Sequence, residues 1–265
     1  MFDHLIHELG SALENNQRII PSFKNALAKA RVTMASNFEA GVSTDLLIKA
    51  NSDFMDDIMR LAWNRFKWTE NRTSWRKSRI SLLAVGGYGR QELLPNSDID
   101  LLILLERNNQ SAHRDNIQSF TTLLWDIGLE VGHSVRSIAE CKPSALHDVT
   151  ILTAMMESRT ILGDGALCKK VQQKIAPGRS WSAKSFYLAK RQEQNGRHEK
   201  SNHTEYSLEP NVKTSPGGLR DIQTLTWVAR RRYGTQNITE LAEQEILTPE
   251  ESEEWIKAQS NLWKI

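Results

Sequence analysis

The stretch AVGGYGRQELLPNSDIDLLIL, from residue 84 to residue 104, joins a group of glycines to a pair of aspartates. Gly86, Gly87 and Gly89 follow an apolar run directly. Glycine lacks a Cβ atom, so it tolerates positive φ and lets a ligand approach the backbone closely. Backbone N–H groups at a turn from strand to helix can surround an anion. The glycines therefore predict a phosphate-binding turn, although a plain tight turn explains them equally well.

Asp98 and Asp100 open the next apolar run. Residues two apart on a strand point to the same face, with Cα atoms about 7 Å apart, so the two carboxylates project together. Neighbouring carboxylates repel each other, and strands disfavour aspartate. A divalent cation offsets this penalty, since Mg²⁺ prefers a few carboxylate oxygens together with substrate phosphate oxygens. We predict a metal-binding pair, although an isolated D-x-D motif is more often a turn residue and a solvated edge residue.

The order of these two groups favours nucleotide chemistry. Arg90 begins a predicted short helix, RQELL, that Pro95 ends, and Ser97 precedes the first aspartate. The dinucleotide-binding fingerprint does not fit, because Glu92 stands where its third glycine belongs, and the Walker A pattern is absent. Two metal ions held by carboxylates can activate an attacking hydroxyl and stabilise a leaving pyrophosphate. The predicted nucleotide-binding residues of this stretch are Gly86, Gly87, Arg90 and Ser97.

Three strand patterns must position these residues. Residues 80–85 and 98–105 are continuous apolar runs, and residues 129–138 alternate between apolar and polar. A polar linker is predicted at 69–78 and a loop at 204–218. Helical spacing of apolar residues covers 2–35, a segment that starts at Ser43 or Thr44, 113–127, and the segments TAMMESRTIL, SAKSFYLAKRQEQ, LRDIQTLTWVARRRYG and TPEESEEWIKAQSNLWKI.

These elements predict an α/β fold in which helices from both ends of the chain flank a small mixed sheet. We expect an N-terminal helical region over 1–75, a core over 76–145 and a helical domain over 146–265. The active cleft should lie between the sheet and the helices after residue 140. The apolar stripe of the last helix stops at Ile265 without a capping residue, which predicts a fragment of a longer protein.

Composition excludes several classes of protein. The 34 basic and 32 acidic residues give a net charge of +2, too small to indicate a nucleic-acid coat or a membrane-surface protein. The two cysteines form no CxxC motif, so a disulfide framework or zinc ribbon is not expected. The N-terminus lacks the pattern of a signal peptide, and no apolar run reaches the roughly 20 residues of a membrane span. A cytoplasmic protein is therefore predicted.

The glycine turn followed by D-x-D resembles the nucleotidyltransferase superfamily of DNA polymerase beta. Between about residue 80 and residue 235 the resemblance is closer: GGYGRQELLPNSDIDLLIL, LLWDIGLEVGHSVRSI and EPNVKTSPGGLRDIQTLTWVARRRYG are similar to the bacterial PII uridylyltransferase/uridylyl-removing enzymes. This resemblance implies transfer of UMP from UTP to a tyrosine of the signalling protein PII, with release of pyrophosphate. It also implies HD hydrolase and glutamine-sensing ACT domains, neither of which is expected within residues 1–265.

The resemblance also implies roles for individual residues. Gly86 and Gly87 match the nucleotide turn, and Asp98 and Asp100 match the aspartates that hold two ions, expected to be Mg²⁺ with Mn²⁺ as an alternative. Many superfamily members carry a third carboxylate on the next strand as the base. Here the acid at that place is Glu130, which shares a strand face with Ser134 and Arg136, and a solvated residue at the start of a strand is its simpler explanation.

Basic residues in the second half of the chain are further candidates. Lys213 and Arg220 are predicted to contact triphosphate oxygens. The alternative is a structured loop that leads into a helix, with Arg220 and Asp221 as surface charges. The run Arg230–Arg232 is expected to be the solvated last turn of a helix capped by Gly234. His198 and His203 are expected on a solvated face, and His133 is predicted to be a core histidine.

Two alternative functions remain open from the residues. One is another nucleotidyltransferase of this superfamily, such as an adenylyl- or aminoglycoside-modifying enzyme. The other is a regulatory module that binds nucleotide without turnover, which the uncertain third carboxylate favours. Uracil as the base and PII as the partner are implied by the resemblance alone.

Overall fold

The computed structural model describes residues 1–15, 18–68, 79–200, 211–235 and 237–265. They form two compact units, Met1–Lys174 and Ile175–Ile265. The predicted linker at 69–78, residues 204–210 of the predicted loop and His203 lie outside the described residues. The domain boundaries predicted after residues 75 and 145 stay predictions.

The first unit is built on a four-stranded sheet of the order β3-β2-β1-β4. Strand β1 is antiparallel to both β2 and β4, whereas β2 and β3 are parallel. The mixed sheet confirms the predicted α/β fold. Its strands are β1 (Ile80–Ala84), β2 (Ile99–Leu105), β3 (Val131–Ser137) and β4 (Arg159–Gly163). The helices that begin in this unit are α1 (Asp3–Glu14), α2 (Ile19–Glu39), α3 (Thr44–Trp63), α4 (Gly86–Gly89), α5 (Gln110–Asp126), α6 (Ile138–His147), α7 (Val149–Met156) and α8 (Gly165–Ile175).

The N-terminal segment forms two helices and not the single helix predicted over 2–35. Helix α1 ends at Glu14 and α2 begins at Ile19. Asn15, a weak helix former, is the C-cap of α1. Helix α3 begins at Thr44 as predicted, because the Ser43 hydroxyl accepts a hydrogen bond from the Leu46 N–H at 3.5 Å. The helices and sheet share one apolar core, whose fully buried members include Phe23, Ile58, Met59, Leu82, Ile103 and Phe120.

Strand β4 corrects the helix predicted over TAMMESRTIL. Helix α7 ends at Met156, and the chain then pairs with β1, with Ala84 opposite Arg159. Within β4 only Ile161 is buried. The strand therefore lacks the alternation of buried and exposed residues that marks a half-buried strand. Pairing with the core strand β1 decides the conformation of this segment, which intrinsic propensity alone leaves undetermined.

The second unit is helical, with α9 (Ala183–Lys200), α10 (Leu219–Tyr233), α11 (Ile238–Glu243) and α12 (Pro249–Leu262). Gly234 ends α10 in the left-handed conformation at φ 85°, as predicted. Arg231 is not solvated, however: it is 2% exposed and donates hydrogen bonds to the carbonyl oxygens of Ile175 (2.6 Å) and Trp181 (3.0 Å). In the part of the chain that the structure describes, no helix combines the length and apolar character of a membrane span.

Candidate active site

The glycines themselves form the helical turn, which begins earlier than the sequence predicted. Helix α4 covers Gly86–Gly89, and Arg90 is its C-cap, so the helix predicted over RQELL is wrong. Gln91 follows at φ 61°, a left-handed conformation that stops the helix, and Asn96 repeats it at φ 59°. The first N–H groups of a helix have no partner within it. The backbone N–H groups of Gly86 and Gly87 are therefore placed at the start of the turn.

A side chain at each of the three glycines would meet different surroundings. Gly86 has φ +60°, and a Cβ atom there would lie 3.1 Å from Oδ2 of Asp100. At Gly89 a Cβ atom would overlap the carbonyl oxygen of Glu157. At Gly87 a Cβ atom would make only ordinary contacts, the nearest being the Glu92 carbonyl oxygen at 3.6 Å. Close packing explains the glycine at position 89, whereas nothing in the packing requires a glycine at position 87.

The two aspartates flank a buried residue, as predicted. Ile99 is 2% exposed and donates its N–H to the carbonyl oxygen of Glu130 at 2.8 Å, while Asp98 and Asp100 are exposed. Asp98 precedes the first residue of β2. The carbonyl oxygen of Asp100 accepts a hydrogen bond from the Val85 N–H at 3.0 Å, which ties the aspartate to the residue before the glycine turn.

The carboxylate of Asp100 lies between two glycines. Gly86 is on one side, and Gly132, the register partner of Asp100 on β3, is on the other. A Cβ atom at Gly132 would lie 2.8 Å from Oδ1 of Asp100. Sequence reasoning missed Gly132, although a glycine inside a strand pattern is a signal of close approach by another group.

This arrangement fits a hard divalent cation. Asp98 and Asp100 supply carboxylate oxygens, and a side chain at Gly86 or Gly132 would crowd the space beside the Asp100 carboxylate. Among the residues that the structure describes, no group of three or more His, Cys, Asp and Glu side chains could hold a metal ion. Two carboxylates are nevertheless a typical protein contribution to a Mg²⁺ site whose other ligands are water and substrate phosphate.

Glu130, the predicted third carboxylate, directly precedes β3. It is exposed, and its carbonyl oxygen accepts the hydrogen bond from Ile99, the residue between the two aspartates. Arg136, predicted to lie on the same strand face, donates to the Ser144 hydroxyl at 2.8 Å. On the other face His133 is exposed, with its ring centroid 6.0 Å from that of Trp125, so the prediction of a core histidine is wrong.

Arg90 is enclosed by carboxylates of the protein itself. Its side chain is 9% exposed and pairs with Glu92 at 2.7 Å and with Glu157 at 2.5 Å. Burial opposes its charge, but the charges of Glu157 and Glu92 outweigh burial and raise the pKa of the guanidinium. The structure therefore favours a structural role for Arg90, which fixes the end of the turn to the segment before β4, over the predicted nucleotide contact. Ser97 is half-buried, and its nucleotide contact stays a prediction.

Lys213 and Arg220 belong to the second unit. Lys213 is exposed, while Arg220 lies over the ring of Trp227, 5.3 Å from its centroid. Their contacts with triphosphate stay predictions.

Asp221 is a hydrogen-bond centre of the second unit that sequence reasoning treated as a surface charge. Its carboxylate accepts hydrogen bonds from Gln194 and the Gly217 N–H, each at 2.9 Å, and pairs with Arg197 and with His198 at 2.9 Å. Burial opposes ionisation of Asp221, but these partners outweigh it and lower the pKa. The prediction of a solvated His198 is thus wrong.

The chain is similar to known nucleotidyltransferases. The family described as a nucleotidyltransferase domain matches residues 67–156, and the family described as GlnD PII-uridylyltransferase matches residues 185–265. Bifunctional uridylyltransferase/uridylyl-removing enzymes of Stutzerimonas stutzeri (strain A1501), Azotobacter vinelandii (strain DJ / ATCC BAA-1303) and Ectopseudomonas mendocina (strain ymp) are each 50% identical over 246 residues. The matched region is 93% of this chain and 27% of each relative, so the chain spans about a quarter of the length of these relatives.

Proposed function

Because this chain contains a nucleotidyltransferase domain and is a homologue of the bifunctional uridylyltransferase/uridylyl-removing enzymes, we propose that it transfers UMP from UTP to a tyrosine of PII. Nucleotidyltransferase domains generally use divalent metal ions, and we propose Mg²⁺, with Mn²⁺ as an alternative, as the ion here. The observation that carries the proposal is the position of the Asp100 carboxylate between the glycine turn and Gly132.

Each residue of the site has a separate task in this proposal. The backbone N–H groups of Gly86 and Gly87 hold phosphate oxygens at the start of the helical turn. Asp98 and Asp100 hold the divalent ion, which when bound neutralises phosphate charge and favours ionisation of the attacking hydroxyl. Packing of Ile99 into the core fixes the direction of both aspartate side chains.

In the reaction the tyrosine oxygen forms a bond to the α-phosphorus of UTP. The bond from that phosphorus to the oxygen bridging the α- and β-phosphates breaks, and pyrophosphate leaves with the bonding electrons. Glu130 is the proposed acceptor of the tyrosine proton, because it is exposed and its backbone bonds to Ile99, the residue between the two aspartates. Positioning and neutralisation of charge provide most of the rate enhancement in this arrangement. Lys213 and Arg220 stay candidate phosphate ligands.

The test uses purified protein, UTP labelled in the α-phosphate, Mg²⁺ and purified PII. We expect label on a tyrosine of PII and release of one pyrophosphate for each label, with neither product from Asp100→Asn. Transfer to a different acceptor would support another nucleotidyltransferase of this superfamily. Binding of UTP without any transfer by the folded protein would support the regulatory module and overturn the proposal.

A further inference from the structure

Four polar side chains of helix α3 form hydrogen bonds with residues 88–93, which follow the first two glycines of the turn. Asn51 donates to the carbonyl oxygen of Leu93 at 2.8 Å, and Ser52 accepts from the N–H of the same residue at 3.2 Å. Two further bonds reach α3, from Gln91 Nε2 to Asp53 at 3.1 Å and from the Tyr88 hydroxyl to Asp56 at 2.7 Å. We call Asn51, Ser52, Asp53 and Asp56 the α3 anchor.

Part of the anchor lies inside the apolar core. Ser52 is 0%, Asp56 4% and Tyr88 1% exposed. Burial, followed by the charge of Asp56, raises the pKa of the Tyr88 phenol, which therefore stays a donor at neutral pH. Buried ionic groups seldom stabilise a fold more than apolar residues of similar size would, and in some proteins their role is to specify one geometry. The bond from the Tyr88 hydroxyl to Asp56 defines the position of Tyr88 relative to α3.

Arg159, the first residue of β4, contacts both Asp56 and Tyr88 from the side of the sheet. It donates to both carboxylate oxygens of Asp56, at 2.5 and 3.0 Å, and its guanidinium lies 5.6 Å from the centroid of the Tyr88 ring. Tyr88 is the third residue of the four-residue turn Gly86–Gly89. Its side chain is thus held by α3 and by the first residue of β4 together, which leaves the turn little freedom to move toward or away from Asp100.

We propose that the α3 anchor positions the glycine turn so that its N–H groups and the Asp100 carboxylate engage the same triphosphate. The inference rests on the proposed nucleotide-binding function. The anchor residues are positioning residues, since they act through Tyr88, Gln91 and Leu93. A turn displaced by about 1 Å would lose much of its effect on the reacting phosphate, because phosphoryl chemistry depends on alignment.

The experiment compares Tyr88→Phe and Asn51→Ala with wild type and with Leu13→Ala. The first variant removes one hydroxyl but keeps the ring, and the second removes one bond to Leu93. Leu13→Ala removes a buried side chain of α1 and serves as the control for loss of stability. Binding of UTP with Mg²⁺ is measured by calorimetry at a temperature at which all four proteins are folded, and amide exchange is measured without nucleotide.

We expect each anchor variant to bind UTP about fivefold to tenfold more weakly, as loss of a hydrogen bond to the turn predicts. Amides of Gly89 and Arg90, which bond to Val85 and Gly86, should exchange faster than in wild type. Leu13→Ala should lower Tm and leave UTP affinity unchanged. Equal affinity in wild type, Tyr88→Phe and Asn51→Ala would overturn the positioning role. Absence of UTP binding by the wild type would instead overturn the proposed function.

Discussion

Replacing Gly132 by alanine tests the site at the point where the structure is most specific. The new Cβ atom would lie 2.8 Å from Oδ1 of Asp100, closer than real Cβ atoms approach an oxygen. Restoring ordinary contact requires a shift of about 0.5 Å. The carboxylate is the end of an exposed side chain, so we expect it to move while β2 and β3 keep their register.

The expected effects on stability and activity have opposite signs. Glycine inside a strand is less stable than alanine by about 0.5–1 kcal/mol, so Gly132→Ala should fold at least as well as wild type. If the Asp100 carboxylate moves by about half an ångström, the divalent ion that it is proposed to bind moves with it. Since 1 Å can reduce a rate a hundredfold, we expect kcat/KM for uridylyl transfer to fall about tenfold or more.

The assay measures transfer of labelled UMP to PII together with Tm for the variant, wild type and a matched control. Gly10→Ala is the control, because Gly10 lies in α1 and a Cβ atom there would meet nothing within 4 Å. It should gain up to about 1 kcal/mol of stability and keep full activity. Full activity of a folded Gly132→Ala would show that the reaction does not need the space beside Asp100, and would refute the assignment of that carboxylate.

Three further predictions concern charged residues. Asp98→Asn should abolish detectable transfer while Tm stays equal or rises, because it removes one of two adjacent negative charges; activity near wild type would exclude Asp98 as a metal ligand. The hydrogen bond from Arg79 lowers the pKa of Glu106 from 4.5 to about 2, so the ionised pair stabilises the fold above pH 4.5, and this stabilisation is lost as pH falls toward 2. The difference in Tm between wild type and Glu106→Gln should therefore be small but measurable at pH 7 and shrink at low pH; a difference that grew on acidification would contradict the reasoning. Arg231→Met should destabilise the second unit by about 2 kcal/mol in urea melts because buried carbonyl oxygens lose their donors, whereas the exposed neighbour Arg232→Met should change little.

Local periodicity was sufficient to predict three of the four strands of the sheet. The apolar runs and the alternation that mark β1, β2 and β3 are direct consequences of burial on one or both faces. The same rule placed Asp98 and Asp100 on one face, since side-chain direction on a strand depends only on spacing. Strand β4 was missed because its conformation depends on pairing with a strand far away in the sequence, and pairing partners leave no trace in local spacing.

The finer parts of the site depend on contacts between distant segments. The role of Gly132 follows from the register between β2 and β3, and Arg90 could not be recognised as enclosed without its partner Glu157. A run of glycines is also a poor sequence signal for a helix, so the start of α4 was placed after it. The residue types were enough to predict the chemistry of the candidate site, whereas its geometry depends on how the strands of the sheet pair.

The contacts of the segment around residue 157 with the turn have a consequence for the order of folding. Gly89 packs against the carbonyl oxygen of Glu157, and Arg90 pairs with its side chain across 67 positions of sequence. Contacts this distant in sequence form only after a long loop closes, which local contacts do not require. During synthesis on the ribosome, the glycine turn and the aspartates emerge well before the segment that completes their surroundings. A nascent chain would thus complete the proposed nucleotide-binding surface only after β4 has emerged, and UTP binding would then show that the sheet has formed.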